Sequence, residues 1–313
     1  MKANRNAYLA ELYDLMKENP DIIVVDVDNI SPGGEKSIPK DFPDRFIQCG
    51  IAEQNMMGVA AGLAYNGKIP FCATFAVFVS MRCVEQVRNS VCYPNANVKI
   101  IGTHAGLETG PDGGTHQGIE DLAIMRALPN MVVLAPSTPN MTVALTRVIA
   151  EHKGACYMRF GKAPAPELYA PEDTFEIGGS RTLREGTDFT IIAEGNMVCR
   201  SLEAAEQLAK EGLNIRVVDM YSVKPIDRAA IQKAAAETGG IVTVEDHNVF
   251  GGLGSAVAEV VCEVNPVRML RIGVQDHFGH SGLPDELYKM YHLTPDDIAQ
   301  KCRQFAAGAS ENC

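Results

Sequence analysis

The sequence is short of several things, and each shortage removes a class of function. No apolar run reaches the roughly 18–20 residues that a bilayer span needs, and Met1-Lys2-Ala3-Asn4-Arg5-Asn6 has none of the apolar core of a secretory signal. The expectation is a soluble, cytoplasmic protein. Basic charge is in deficit, with 28 Lys and Arg against 39 Asp and Glu and a net charge of −11, which argues against a nucleic-acid binder. Cysteine occurs nine times, an odd number with no CxxC pair, so the thiols read as reduced core residues rather than a disulfide framework or a zinc site. Tryptophan is absent, which bears on no function. There is no Walker A loop, no GxSxG nucleophile elbow, no GxGxxG turn, no internal repeat and no low-complexity segment.

What remains is a long alternation of short β-branched runs and amphipathic segments. Ala7, Tyr8, Leu9, Leu12, Leu15 and Met16 fall at helical spacing over residues 4–18. Ile22 to Val27 reads as a buried strand, and Phe46 to Cys49, Pro70 to Phe75, Val98 to Ile101, Met131 to Leu134 and Ala155 to Arg159 as further strands, with helices over 78–91, 121–127 and 138–151 between them. A Pro- and Gly-rich passage follows, read as a linker or a crossing segment, and then a second alternation with strands at 189–193, 215–219, 240–245 and 268–272. The fold class is α/β, two domains, each a mainly parallel sheet flanked by helices. The boundaries are drawn at 1–163, 164–186 for the linker and 187–313. At 313 residues two domains also suit the length.

Three stretches carry candidate chemistry. Gly50-Ile51-Ala52-Glu53-Gln54-Asn55 opens a helix expected to be largely buried. Gly58 and Gly62 share one of its faces, as if another backbone came close. Glu53 reads either as a residue capping its own helix or as a buried carboxylate held for proton chemistry. His104, Asp112 and His116 lie in or beside a glycine-rich loop that begins at a strand end, where α/β sheets place ligands. They fit a proton relay or a hydroxylated substrate, or are incidental residues of a solvent loop. Phe75 and Phe78, three apart after a strand, can stack on a flat heterocycle or simply fill core. Gly251-Gly252-Leu253-Gly254 reads as a tight turn rather than an anion site. Arg5 and Arg159 are isolated in sequence and read as surface or packing residues unless the fold joins them.

Together these residues resemble the C-terminal half of transketolase, its pyrimidine-binding domain followed by its C-terminal domain. The resemblance runs through Asp44-Arg45-Phe46, Gly50 to Asn55, Thr74-Phe75 with Phe78, Gly102-Thr103-His104, Asp112 to Gln117 and Glu120 to Ala123. It continues in Gly212 to Asp219, Lys224 to Asp227 and Thr243 to His247. What it implies is thiamine diphosphate as cofactor, with Glu53 catalytic and bonded to N1′ of the aminopyrimidine. Phe75 and Phe78 would stack on that ring, and Met81 stands where a third aromatic often follows. His104, Asp112 and His116 match substrate-binding residues, and Arg5 and Arg159 match arginines that grip a sugar phosphate. Ser31 is the substitute for a serine that joins them, in a 29–40 loop that departs from the family's pattern.

The family's Gly-Asp-Gly motif with its following Asn, which anchors Mg²⁺ and the diphosphate, does not occur here. No metal ligand is therefore assigned to this chain. The resemblance implies a split transketolase whose N-terminal partner subunit carries that motif, two of each chain forming a heterotetramer, with this chain inactive alone. The implied reaction moves a two-carbon ketol unit from a ketose phosphate to an aldose phosphate, in the pentose phosphate pathway or on a specialised sugar. Other readings are the beta subunit of a 2-oxo acid dehydrogenase, a deoxyxylulose-phosphate-synthase-like enzyme, and a non-catalytic scaffold paralogue.

Overall fold

In a computed structural model, residues 1–28 and 36–308 are described. Ser31 and most of the unusual loop lie outside them. The first sheet has seven strands in the order Ser222–Lys224, Val132–Leu134, Cys156–Arg159, Lys99–Thr103, Ile69–Phe75, Ile22–Asp26 and Phe46–Gln48. All its pairings are parallel except the first. The second has five strands in the order Met269–Val274, Ile241–Asn248, Phe189–Ala193, Ile215–Asp219 and Arg181–Arg184, antiparallel only at the last pair.

Alternate residues of each strand face opposite layers, which is why these strands are apolar throughout. In the first sheet Val25, Cys72, Ile100 and Tyr157 pack with Met56, Met57 and Ala60 of the Glu53–Tyr65 helix. Val24, Phe71, Ile101 and Met158 pack on the other face with Tyr8, Leu12 and Met16 of the Asn4–Glu18 helix. The second sheet is likewise covered on both faces, by Val198, Ala205 and Leu208 on one side and Ile231, Val257 and Val260 on the other. Helix starts follow local chemistry. Pro139 occupies the first turn after Thr138, whose side chain accepts from the Met141 N–H.

Four expectations change. The segment 78–91 is not one α-helix. It is a π-helical turn over Phe78–Arg82, a short α-turn over Val84–Gln86 and a second π-turn over Val87–Cys92. The Glu53 helix is buried on one face only, with Gln54, Asn55 and Gly58 exposed. A Cβ at Gly58 or Gly62 would meet nothing within 4 Å, so among the described residues no other backbone packs at those two positions. The passage 164–186 is not a plain linker. Pro164–Ala165 pairs with Lys2–Ala3, and Arg181–Arg184 is the edge strand of the second sheet.

Finally, Ser222–Lys224 crosses over to complete the first sheet against Val132–Leu134. Lys224 Nζ donates there to the carbonyls of Arg126 and Leu128, at 2.9 and 2.5 Å. These lie at the end of the Asp121–Ala127 helix, where carbonyls lack helical partners. The two domains are therefore laced together by backbone pairing and by caps. Among the described residues no helix is long and apolar enough to cross a membrane.

Candidate active site

The site forms beyond the carboxyl ends of the central parallel strands, the usual ligand position of an α/β sheet. A turn held by Gln48 delivers Glu53 to it. Gln48 Nε2 donates to Asp26 at 3.0 Å, and its Oε1 accepts from the N–H groups of Asp28 and Gly50. Gly50 has φ +66°, a left-handed turn that suits glycine. Glu53 then enters as the first helical residue, only 3% exposed. Its carboxylate does not cap its own helix. Arg82 Nη1 donates to Glu53 Oε2 at 2.7 Å, and the Arg82 side chain is 47% exposed. Glu53 is therefore a buried carboxylate that pairs with Arg82 rather than with its own helix.

Phe75 ends its strand, and Phe78 opens the π-turn that follows. Their rings are nearly parallel, with centroids 5.6 Å apart. His104 lies parallel to Phe75 at 4.0 Å, and His116 meets Phe78 edge-on at 5.2 Å. The Arg82 guanidinium sits 4.5 Å over the Phe78 ring. A cavity of about 330 Å³ opens here, walled by Glu53, Thr74, Phe75, Phe78, Arg82 and His116, with Val27, Asp28 and Ile51 at its other side.

The loop bearing the histidines is tightly pinned. His104 adopts φ +54° directly after its strand, an uncommon conformation for a non-glycine residue. Thr109 Oγ1 lies 2.7 Å from the His104 carbonyl and 3.2 Å from that of His116, tying the two ends together. Burial, with the nearby cations Lys162 and Arg5, brings the His104 pKa down to about 4, against a smaller pull from Asp112. The imidazole is thus neutral near pH 7 and able both to donate and to accept a hydrogen bond.

Residues 1–166 match the model of the transketolase pyrimidine-binding domain, and residues 178–298 match that of the transketolase C-terminal domain. The chain belongs to the transketolase family. A putative transketolase C-terminal section from Methanocaldococcus jannaschii is 45% identical over 96% of this chain and 95% of its own length. The 6-deoxy-6-sulfo-D-fructose transketolase subunit SqwH from Clostridium sp. (strain MSTE9) is 40% identical over 96% and 93%. Among solved structures, one described as a split gene transketolase, inactive beta4 tetramer, superposes with a TM-score of 0.89 at 46% identity, covering 97% of this chain and 98% of that one.

Within this transketolase half, several residues stand apart from the expected site. Met81 does not line the Glu53 cavity. It borders a neighbouring apolar recess with Val77, Thr115 and Phe278. Arg82, four residues after Phe78 in the same turn, lies over the Phe78 ring instead. Arg159 is also displaced from its expected role. It is buried, with Nη1 3.2 Å from Asp121 Oδ1 and Nη2 donating to the Asp246 carbonyl at 3.0 Å. Burial works against its charge, but Asp121 and Glu194 outweigh it and hold its pKa above the usual value. Asp112 and Arg5 act on His104 electrostatically but do not line the cavity. Arg82 and Lys162 were not picked out in the sequence; a charged residue beside Met81 was the only signal for the former.

The C-terminal domain braces the histidine loop. The Asp246 carboxylate accepts from the Leu107 N–H at 3.0 Å, from Asn196 at 3.1 Å and from the Tyr288 hydroxyl at 2.7 Å. A Cβ on Gly106 (φ +67°) would overlap that carboxylate, so glycine is required where the loop passes it. Gln117 donates to the His280 carbonyl, and the Asn248 N–H to the Ile119 carbonyl. The Gly251–Gly254 turn is filled from within, because Glu245 accepts the N–H groups of Leu253 and Gly254. Among the described residues no group of three or more His, Cys, Asp or Glu side chains stands together as metal ligands.

Proposed function

We propose that this chain is the C-terminal subunit of a two-chain transketolase, moving a two-carbon ketol unit from an anionic ketose to an aldose phosphate. The observation that carries the reading is Glu53, a buried carboxylate on the wall of a cavity lined by Phe75, Phe78 and His116. That set fits the ring half of thiamine diphosphate, a flat heterocycle with a nitrogen for a carboxyl group to bond. Among the described residues no three Asp, Glu, His or Cys side chains stand together for Mg²⁺. The metal and the diphosphate then belong to an N-terminal partner carrying a Gly-Asp-Gly…Asn motif, in an assembly of two of each chain.

When bound, thiamine diphosphate supplies the electron sink that a ketol carbon–carbon cleavage requires. The chain's own residues do the rest by position. Glu53 holds the ring nitrogen and the proton shared with it. Phe78 offers a stacking face. His104 and His116 hydrogen-bond the substrate's hydroxyl and carbonyl oxygens, and the neutral His104 does so without adding charge. Arg5 and Lys162, whose charges both reach His104, suit the anionic tail of a sugar. Phosphate and sulfonate share that chemistry, and one relative bears the name of a sulfosugar transketolase subunit.

The test is a coupled assay with xylulose 5-phosphate and ribose 5-phosphate, thiamine diphosphate and Mg²⁺, with and without the partner chain. The same assay with 6-deoxy-6-sulfo-D-fructose as donor separates the tails. Turnover that needs both chains and disappears in Glu53→Ala supports the reading. Turnover by this chain alone, or an unaffected Glu53→Ala, overturns it.

A further inference from the structure

Arg82 occupies both features that a heteroaromatic ring would use. Its guanidinium lies 4.5 Å over the Phe78 ring, and its Nη1 takes the Glu53 carboxylate at 2.7 Å. The other aromatic surfaces of the site are already taken. Phe75 is covered by His104 at 4.0 Å, and Phe75 and Phe78 are 5.6 Å apart, whereas a ring inserted between them would need about 7 Å at ordinary carbon contact distances. His116 stands steeply against the Phe78 ring, 5.2 Å between centroids. The surface left for stacking is the Phe78 face under Arg82.

The turn that carries Arg82 is built to present it. Over Phe78–Arg82 the helix is π-helical, a form concentrated at functional sites. Val79 and Ser80 are fully buried, and Ser80 Oγ donates to the Ala76 carbonyl at 2.7 Å, so the turn is anchored. Arg82 itself is half exposed, and among the described residues Glu53 is its hydrogen-bond and ion-pair partner. Its long side chain can leave for water without leaving a buried cation unpaired.

We propose that Arg82 is a gating residue, closing the ring slot by holding Glu53 and covering Phe78, and swinging into solvent when the ring binds. The proposal rests on the reading of the cavity as the slot for the thiamine ring. Binding then exchanges one Glu53 partner for another, and the apparent affinity is lowered by the fraction of molecules in which Arg82 is closed. An ion pair open to solvent on one side is worth little, so the closed state is favoured by no more than about fivefold.

The test is calorimetry and stopped-flow binding on the full chain assembled with its N-terminal partner and Mg²⁺, using thiamine diphosphate, thiamine and inorganic diphosphate as separate probes. The variants are Arg82→Met, which keeps bulk without charge, and Arg82→Lys. The expected result is that Arg82→Met binds thiamine diphosphate and thiamine about threefold more tightly and associates faster, with Arg82→Lys between it and wild type. Inorganic diphosphate binding should not move, because that half lies elsewhere. Weaker ring binding in Arg82→Met that Arg82→Lys restores would make Arg82 a holding group and overturn the gate, as would unchanged binding. A wild-type complex that takes up diphosphate but neither thiamine compound removes the ring slot itself, and the gate with it.

Discussion

Two of the chain's arginine–carboxylate pairs, Arg82–Glu53 and Arg159–Asp121, share their chemistry and have opposite surroundings. Glu53 and Asp121 are both buried, at 3% and 0% exposure, and their arginines approach to 2.7 and 3.2 Å. Arg82, however, is 47% exposed, while Arg159 is 4% exposed and also donates to the Asp246 carbonyl in the other domain. Water can take over Arg82 if its partner is claimed by a ligand. Nothing can take over Arg159, because withdrawing it would leave Asp121 and Glu194 facing each other in a low dielectric. A sealed pair is architecture, and a pair open on one side is a site. That contrast explains why an arginine matched by resemblance to a sugar-phosphate ligand sits instead in the seam between domains.

The largest effect should fall on the seam. Replacing Asp121 by Ala, or Arg159 by Met, strands a buried charge and is expected to cost about 3–5 kcal/mol in urea unfolding. Arg82→Met should cost no more than about 1 kcal/mol. Comparable losses at Arg82 and Arg159 would erase the distinction.

Activity should order the pairs the other way. Glu53→Gln keeps the shape of the side chain, and its midpoint of thermal unfolding is expected to stay within a few degrees of wild type. Turnover in the two-chain assay should fall at least about 100-fold, equivalent to about 2.7 kcal/mol of transition-state stabilisation. A variant that melts early and loses activity in proportion would place Glu53 with Asp121 as a structural group.

A smaller effect tests whether the seam reaches the site. Tyr288→Phe removes one of the donors to Asp246 and leaves Leu107 N–H and Asn196 in place. The expected cost is about 1 kcal/mol of stability. The histidine loop loosened by that change should raise KM for the sugar more than it lowers kcat. A change confined to stability would mean that the brace ends at the fold.

These contrasts divide what the sequence could and could not reveal. The first helix was legible because Tyr8, Leu12 and Met16 repeat at helical spacing, and the strands because their apolar runs are short and β-branched. Glu53 was legible as a lone carboxylate opening an apolar helix. Ser222–Lys224 was not, since three residues carry no period and their partner strand lies in the other domain. Arg82 was hidden by a one-residue offset, because the resemblance pointed to the third residue after Phe78, Met81, whereas the fourth also faces that ring in a helical turn. Arg159 was hidden by distance, its partners being Asp121 and Asp246. Local pattern reports periodicity and polarity, whereas the partner of a buried charge is fixed by tertiary packing.

The subtlest test of the seam is a slope rather than a loss. Burial pushes the Glu245 carboxyl up to about 8, against the pull of the Gly254 and Leu253 N–H groups. In the unfolded chain the same group has its ordinary value of 4.5. Between those two values the unfolded state has released the proton and the folded state still holds it. Stability from this group therefore falls as pH rises from about 4.5 to about 8 and levels off above that. Glu245→Gln removes the titration and keeps an oxygen for one of the two N–H groups, which bond different carboxylate oxygens. Urea unfolding at pH 5, 6.5 and 8 should find the variant offset at the lowest pH by the lost hydrogen bond and gaining steadily on wild type as pH rises. A difference that stays flat would mean that the carboxylate is ionised throughout, held by the start of the Leu253–Val264 helix, and that the seam tolerates charge as readily as the open cavity does.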